Sequence, residues 1–266
     1  FDIVRVQGTY DEAFDKYFEL YPRKNTGRVK HLAGYTSWYN YYQNINEEII
    51  LRDLQGLARA GKNANIFQID DGYETKVGDW DMDTVKFPNG LASIVDRIHE
   101  QGLMAGLWYA PFAAQFKANV IKNHPDWLIR NKHGRPVISG IAWGGFYALD
   151  FEKEEVREYI KAFFDKVFNE WHFDMVKLDF LYAAAIEPRN GKTRGQLMCE
   201  AMDFLRECCG DKIILGCGVP LAPAFGVVDA CRISCDVENT FKAVSYTHLR
   251  ALETRHDLVC RLLLEK

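Results

Sequence analysis

The stretch Met175-Val-Lys-Leu-Asp-Phe180 sets a lysine and an aspartate into an otherwise apolar run. Parallel strands that are covered on both faces have near-continuous apolar sequences, so the run predicts a buried parallel strand. Alternate residues of a strand point to the same side, which places Lys177 and Asp179 together. Burying these charges is costly unless they are paired or face a cavity. Because active sites gather at the carboxyl ends of parallel strands, Asp179 is the first candidate for a reacting group.

Strand and helix patterns alternate on both sides of this stretch. The helix patterns include one that Asn44 and Glu47 are expected to cap and one that is expected to start at Asp150. The segment between the third strand and Asp150 is expected to be irregular. The predicted strands are residues 32–38, 65–69, 104–109, 175–180, 213–217 and 231–235.

This alternation predicts the α/β class, with parallel strands and crossover helices. A doubly wound sheet would fit the alternation, but it would place its ligand at one switch point. Here charged or aromatic residues end almost every strand, which favours a TIM (β/α)8-type barrel whose loops converge on one mouth. Six strands are recognisable where a full barrel has eight, so we expect a barrel truncated after about six strands.

The composition excludes two classes of partner. With 266 residues, 48% of them hydrophobic, the chain can form one large α/β domain. A formal net charge of −4 without a basic run gives no electrostatic surface for nucleic acid. No run approaches the roughly 18 consecutive apolar residues of a membrane helix, and residues 1–20 lack a signal-peptide pattern. We therefore expect neither nucleic acid nor a membrane as a partner.

The seven cysteines all lie from Cys199 onward, and no pair has the C-x-x-C spacing of a zinc site. This pattern favours reduced thiols in a cytoplasmic protein, and no cofactor is expected. Cys217 ends the fifth predicted strand without an adjacent histidine or base. It is therefore expected to line a site rather than to act as a nucleophile.

Two carboxylates are the candidate catalytic groups. Asp179 ends the fourth predicted strand, and Asp236 ends the sixth, four residues after Arg232. A pair of carboxyl groups that flanks a sugar ring is what glycoside hydrolysis requires. The charge of Lys177 would keep Asp179 ionised, whereas Asp236 would need less favourable surroundings in order to stay protonated. The alternative is that both aspartates form structural ion pairs.

Asp70 and Asp71 close the second predicted strand. Adjacent carboxylates can accept hydrogen bonds from neighbouring sugar hydroxyls, and they could also bind a divalent cation or form a solvated turn. We favour a role of these two carboxylates in binding sugar hydroxyls and expect no metal ion. Four tryptophans at strand ends or in glycine-containing loops could stack on a sugar or belong to the core: Trp38, Trp80, Trp108 and Trp143.

Nine motifs resemble those of the melibiase-type α-galactosidases of glycoside hydrolase family 36, and they occur along the chain in the same order as in that family. They are Gly34-Tyr-Thr-Ser-Trp38, Ile69-Asp-Asp-Gly-Tyr73, Gly78-Asp-Trp80, Phe87-Pro-Asn-Gly-Leu91, Gly106-Leu-Trp-Tyr-Ala-Pro-Phe112, His124-Pro-Asp-Trp127, Lys177-Leu-Asp-Phe-Leu181, Leu215-Gly-Cys-Gly218 and Arg232-Ile-Ser-Cys-Asp236. The resemblance implies a (β/α)8 barrel and a retaining mechanism, with Asp179 as nucleophile and Asp236 as acid/base. It also implies that Asp70 and Asp71 hold the galactose 4- and 6-hydroxyls. The remaining sugar contacts fall on Lys177, Arg232, Cys217, Trp38 and Trp108.

The implied activity is that of an exo-α-galactosidase acting on small oligosaccharides of the melibiose and raffinose type, in a parent protein that could be a homo-oligomer. Three alternatives remain open: an α-N-acetylgalactosaminidase, a raffinose-family galactosyltransferase, and a sugar-binding fragment without catalysis. Domain boundaries are also expected. Residues 1–30 are expected to be a linker or the edge of a missing N-terminal β-sandwich, and residues 31–243 an incomplete catalytic barrel. Residues 244–266 are expected to be a non-native, adapter-derived tail, because Val244-Ser-Tyr-Thr-His-Leu249 resembles a back-translated sequencing adapter; the alternative is a genuine final helix through Leu249–Leu264.

Overall fold

The computed structural model describes residues 4–20, 28–29, 31–60, 63–232 and 236. The strands are β1 (Gly34–Thr36), β2 (Ile66–Ile69), β3 (Met104–Tyr109), β4 (Ala113–Gln115), β5 (Ile138–Gly140), β6 (Phe146–Ala148), β7 (Met175–Leu178), β8 (Ile213–Gly216) and β9 (Ala230–Cys231). The α-helices are α1 (Tyr10–Glu19), α2 (Trp38–Tyr41), α3 (Glu47–Ala60), α4 (Gly90–Glu100), α5 (Asn119–Asn123), α6 (Glu154–Asp165), α7 (Arg194–Cys209) and α8 (Leu221–Ala224).

The main sheet has six strands in the order β1-β2-β3-β7-β8-β9, and every neighbouring pair is parallel. These are the six predicted strands, which confirms the α/β class. Residues next to the two edge strands contact each other, which shows that the sheet is curled. The Arg28 guanidinium reaches Asp229 before β9 at 3.4 Å, and the Trp38 indole reaches Asp236 after β9 at 3.2 Å. The curled sheet is the half-barrel expected of a truncated TIM barrel.

The two faces of the sheet are buried in different ways. On the outer face, strand residues pack against the crossover helices in the large core, among them Phe67, Leu107 and Val176. On the inner face, a smaller apolar cluster fills the amino-terminal end of the half-barrel, and it comprises Leu32, Ile66, Met175, Ile213 and Leu215. Both faces are therefore covered, which explains why the strands have near-continuous apolar sequences.

The inner face changes from apolar to polar along the direction of the strands. On β2 the inward positions run Ile66, Gln68 and then Asp70, and on β7 they run Met175, Lys177 and then Asp179. The apolar layer closes the floor of the half-barrel, and the polar side chains collect at the carboxyl ends of the strands. The fold thereby gathers residues from distant parts of the chain at one mouth.

The segment after β3 is more regular than the sequence analysis expected. Residues 113–148 contain a second, antiparallel sheet in the order β4-β6-β5, with a register shift between Ile138 and Gly140. Each of its strands has three residues, which is too short for an alternating pattern to be recognised in the sequence. This small sheet carries the loop with Trp143, which contacts the site described below.

Two predicted helix starts are wrong, and both errors concern a polar side chain near the first turn. The cap of α3 is Asn46, not Asn44, because the Ile49 N–H donates to Asn46 Oδ1 at 2.9 Å. Glu47 instead accepts hydrogen bonds from Asn89.

The second error concerns α6, which begins at Glu154 rather than at Asp150. The Asp150 carboxylate accepts a hydrogen bond from Arg189 Nε at 2.8 Å, so it anchors the loop after β7 instead of capping a helix.

Parts of the sequence-based description lie outside the described residues. The sixth strand is seen as Ala230–Cys231, whereas residues 233–235 and 244–266 are not described. Helix α1 lies within the segment expected to be a linker or domain edge, and the domain boundaries stay predictions. Among the described residues, no helix combines the length and apolar character needed to cross a bilayer, and Cys199, Cys208, Cys209 and Cys217 are free thiols.

Replacing Thr193 with alanine should lower the free energy of unfolding by about 1 kcal/mol, because it removes a capping box. In this box the Gln196 N–H donates to Thr193 Oγ1 at 3.3 Å and the Thr193 N–H donates to Gln196 Oε1 at 2.9 Å. Urea unfolding measures the loss, and Thr193→Ser is the control that keeps the hydroxyl. Equal stabilities of the alanine and serine variants would contradict the assignment.

Candidate active site

The centre of the mouth is a buried ion pair between Asp70 and Lys177. Asp70 is 1% exposed and Lys177 is 7% exposed, and Lys177 Nζ lies 2.8 Å from Asp70 Oδ2. The same oxygen accepts hydrogen bonds from Gln68 and Thr36, and the Asp71 N–H donates to the other oxygen. Burial opposes the charge of Lys177, but the attraction of Asp70 and Asp179 outweighs it and holds the pKa of Lys177 above its usual value.

Asp179 has different direct partners from those expected. Lys177 was expected to be its cationic partner, but Lys177 binds Asp70 and acts on Asp179 only through its charge at longer range. The Trp108 indole N–H donates to Asp179 Oδ2 at 3.1 Å, and the Phe180 backbone N–H donates to Oδ1 at 2.8 Å. Each carboxylate oxygen thus has one fixed donor, which orients Asp179 at the end of β7.

Cys217 and Arg232 surround Asp179 on its other side. Burial and the neighbouring Asp179 raise the pKa of the Cys217 thiol, so it stays protonated and lines the site. Burial opposes the charge of Arg232, but the carboxylates of Asp236 and Asp179 outweigh it and raise the pKa of the guanidinium. Arg232 therefore interacts with both candidate catalytic carboxylates.

Asp236 has two direct side-chain partners among the described residues. Its carboxylate forms an ion pair with Arg232, four residues earlier in the chain. The Trp38 indole N–H donates to the other oxygen at 3.2 Å. The side chain is 46% exposed, so Asp236 also contacts solvent at the mouth.

Asp71 lies beside Asp70 but points to other partners. It is 2% exposed, and Gln43 Nε2 donates to its two oxygens at 3.0 and 3.1 Å. The Trp143 indole N–H donates to Asp71 Oδ2 at 2.8 Å. Glu74, in the same turn, is also buried, and its Oε2 accepts the Gly72 N–H at 3.2 Å.

Three of the four tryptophans belong to the site, and each donates its indole N–H to a different aspartate. Trp38 contacts Asp236, Trp108 contacts Asp179 and Trp143 contacts Asp71. Trp80 instead lies in the core beneath β3, packed against Tyr109 and Phe163.

Except for Trp80, the structure brings together the site residues named from the sequence, and it adds five that were not named there. Gln68 could have been found, since it lies two residues before Asp70 on the same face of β2, and Thr36 ends β1. The other three come from loops whose course the sequence does not reveal. The added residues are Thr36, Gln43, Gln68, Glu74 and Phe180. Within the described residues, no three His, Cys, Asp or Glu side chains are placed to hold a metal ion.

Carboxyl groups and indole rings at the carboxyl ends of a curled parallel sheet are typical of barrel proteins that bind and cleave sugars. The sequence profile of the family described as Melibiase matches residues 23–198, and the chain belongs to this family.

Individual relatives agree with this assignment. The chain is 31% identical over 150 residues to "Alpha-galactosidase Mel36A" of Lactobacillus acidophilus. The match covers 54% of this chain and 20% of that protein. It is 30% identical over 148 residues to "A type blood alpha-D-galactosamine galactosaminidase" of Flavonifractor plautii, covering 53% and 14%. The chain therefore spans about a fifth or less of these two relatives.

Among solved structures, the chain is similar to TtGalA, an α-galactosidase from Thermus thermophilus in complex with stachyose. The TM-score is 0.79 at 38% identity, and the match covers 90% of this chain and 51% of that one. The same enzyme with p-nitrophenyl α-D-galactopyranoside gives a TM-score of 0.80 at 37% identity, covering 92% and 49%.

Replacing Lys177 with methionine should lower the free energy of unfolding by about 3–5 kcal/mol, because Asp70 is left buried without its cation. Adding Asp70→Asn removes that uncompensated charge, so the double variant should be more stable than the sum of the single effects predicts. Urea unfolding of both single variants and the double variant gives a coupling energy of about 2 kcal/mol. Additivity within about 0.5 kcal/mol would show that the two side chains do not depend on each other.

Proposed function

We propose that this chain forms the catalytic face of a retaining exo-α-galactosidase that removes terminal α-galactosyl residues from oligosaccharides of the melibiose and raffinose type. The observation that carries the proposal is the convergence of Asp70, Asp71, Asp179 and Asp236 on one mouth, where Arg232 interacts with both Asp179 and Asp236. Membership of the melibiase family and the similarity to α-galactosidases support the same activity.

In the proposed reaction Asp179 is the nucleophile. Its carboxylate, oriented by Trp108 and Phe180, attacks the anomeric carbon while the bond to the leaving group breaks. Asp236 donates a proton to the departing oxygen, and its partial exposure lets it exchange that proton with solvent. Asp236 then removes a proton from the water that hydrolyses the glycosyl–enzyme bond, which releases Asp179.

The other residues hold the sugar. Asp70 and Asp71 accept hydrogen bonds from galactose hydroxyls, and their burial keeps water from competing for these bonds. Lys177, Cys217 and Arg232 line the face on which Asp179 acts. The indoles of Trp38 and Trp108 form apolar walls against the ring and the leaving group.

A second candidate substrate is an α-linked galactosamine, which the Flavonifractor plautii relative favours. Turnover of p-nitrophenyl α-galactoside compared with its N-acetylgalactosaminide distinguishes the two. Product analysis with excess acceptor sugar separates hydrolysis from galactosyl transfer. Stabilisation by galactose without any turnover would support the non-catalytic, sugar-binding alternative.

Asp179→Asn should lower kcat for p-nitrophenyl α-D-galactopyranoside by at least about 10³-fold, because the amide cannot form the glycosyl–enzyme bond. The measurement uses the whole gene product, and galactose should still raise the Tm of the variant. Asp203→Asn, on the exposed face of α7, is the matched control and should keep native turnover. Equal turnover by the two variants would refute the role of Asp179.

The retaining mechanism predicts that galactose released early in the reaction has the α configuration. Proton NMR of the anomeric signals, recorded before mutarotation, measures the ratio of α-galactose to β-galactose. A β product would instead require direct attack by water and would exclude a glycosyl–enzyme bond to Asp179.

A further inference from the structure

The turn after β2 buries two carboxyl groups side by side. Asp71 is 2% exposed and Glu74 is 6% exposed, and the Glu74 side chain turns back toward Asp71, because its Oε2 accepts the N–H of Gly72, the residue that follows Asp71. Neither group forms an ion pair with a lysine, arginine or histidine in the described part of the chain, whereas neighbouring Asp70 does. Two ionised carboxylates that are buried in one turn without a cation would repel each other. One of them must therefore carry a proton.

The surrounding donors indicate which group carries the proton. Asp71 receives hydrogen bonds from Gln43 on both oxygens and from Trp143 on Oδ2, so side-chain donors already occupy both of its oxygens. Glu74 Oε2 receives the Gly72 backbone N–H at 3.2 Å and no side-chain donor among the described residues. Burial and the negative charge of Asp71 raise the pKa of Glu74 well above its ordinary value.

We propose that Glu74 is a neutral carboxylic acid that donates its hydrogen bond to Asp71 and so orients Asp71 toward the sugar hydroxyls. Glu74 is thus a positioning residue, and its proton stays in place throughout the reaction. This inference rests on the proposed function for the role of Asp71, but the protonation of Glu74 can be measured without any sugar.

Other titratable groups near Glu74 do not remove the need for a shared proton. Lys86, a cation at this turn, donates to the carbonyl oxygens of Gly72 and Gln43. Burial raises the pKa of the Tyr73 hydroxyl well above its usual value, so it stays neutral. Asp70 is neutralised by Lys177, and Asp83, across the turn, accepts backbone N–H groups from residues 85 and 86.

The first test compares the stability of the native protein with that of Glu74→Gln at several pH values. Because the pKa of Glu74 is raised in the folded state, its stabilising contribution is complete below about pH 4.3 and is lost as pH rises through the folded-state pKa. The ratio of the unfolding constants, native over variant, should therefore grow about tenfold per pH unit within that window. Urea unfolding between pH 5 and 8 measures it, and Glu155→Gln on the exposed face of α6 should give a constant ratio.

The second test measures turnover of p-nitrophenyl α-D-galactopyranoside by the whole gene product. Glutamine keeps a neutral donor, so Glu74→Gln should retain a KM within about threefold of the native value and should lose the alkaline fall in kcat/KM that ionisation of Glu74 causes. Glu74→Met removes the donor and should raise KM by about tenfold with a smaller change in kcat.

Each outcome decides a separate point. A ratio of unfolding constants that stays the same at all pH values would show that Glu74 is charged, and it would overturn the proposal. A pH-dependent ratio with equal KM values for the Gln and Met variants would overturn the positioning role. If no protein turns over the substrate, but the ratio is pH-dependent and galactose binds more weakly to Glu74→Met than to Glu74→Gln, then the hydrolase proposal fails and the role of Glu74 stands.

Discussion

The buried ion pair between Asp70 and Lys177 is the constraint on which the mouth of the half-barrel depends. The two residues are 107 positions apart in the chain, and their strands lie on either side of β3. Gly106 of β3 lies between these strands, and a Cβ there would lie 2.8 Å from the end of the Met175 side chain and 3.3 Å from that of Gln68. The missing side chain leaves room for inward residues of β2 and β7 to meet. Pairing of the opposite charges of Asp70 and Lys177 then lowers the free-energy cost of burying them.

The site holds more acidic than basic groups, and indole and amide donors cover the difference. Lys177 and Arg232 are paired with Asp70 and Asp236, whereas Asp71 and Asp179 are held by neutral donors such as Gln43, Trp108 and Trp143. Neutral donors orient a carboxylate without cancelling its charge. A surplus of oriented negative charge suits the positively charged, oxocarbenium-like transition state of the proposed reaction.

The sequence predicts what depends on local pattern, and it misses what depends on distant partners. The apolar run before Asp179 and the run from Met104 to Tyr109 both form the expected strands, and the spacing of Lys177 and Asp179 places them on the inner face. Whether an aspartate caps a helix or binds an arginine cannot be seen locally. Asp150 binds Arg189, 39 residues later, and α6 begins at Glu154 instead of at the predicted Asp150.

Two aromatic residues that support the carboxylates are among the six described non-glycine residues with a positive φ. Trp143 and Phe180 adopt left-handed conformations with φ values of 55° and 53°, which cost about 1–3 kcal/mol each for residues other than glycine. Their rings pack together with centroids 4.9 Å apart, so each strained residue stabilises the other. From this packed pair the Trp143 indole donates to Asp71 and the Phe180 backbone donates to Asp179. At these two positions the strain therefore lies where one packing contact couples the orientation of the proposed sugar-holding carboxylate to that of the proposed nucleophile, and a shift in either ring would disturb both.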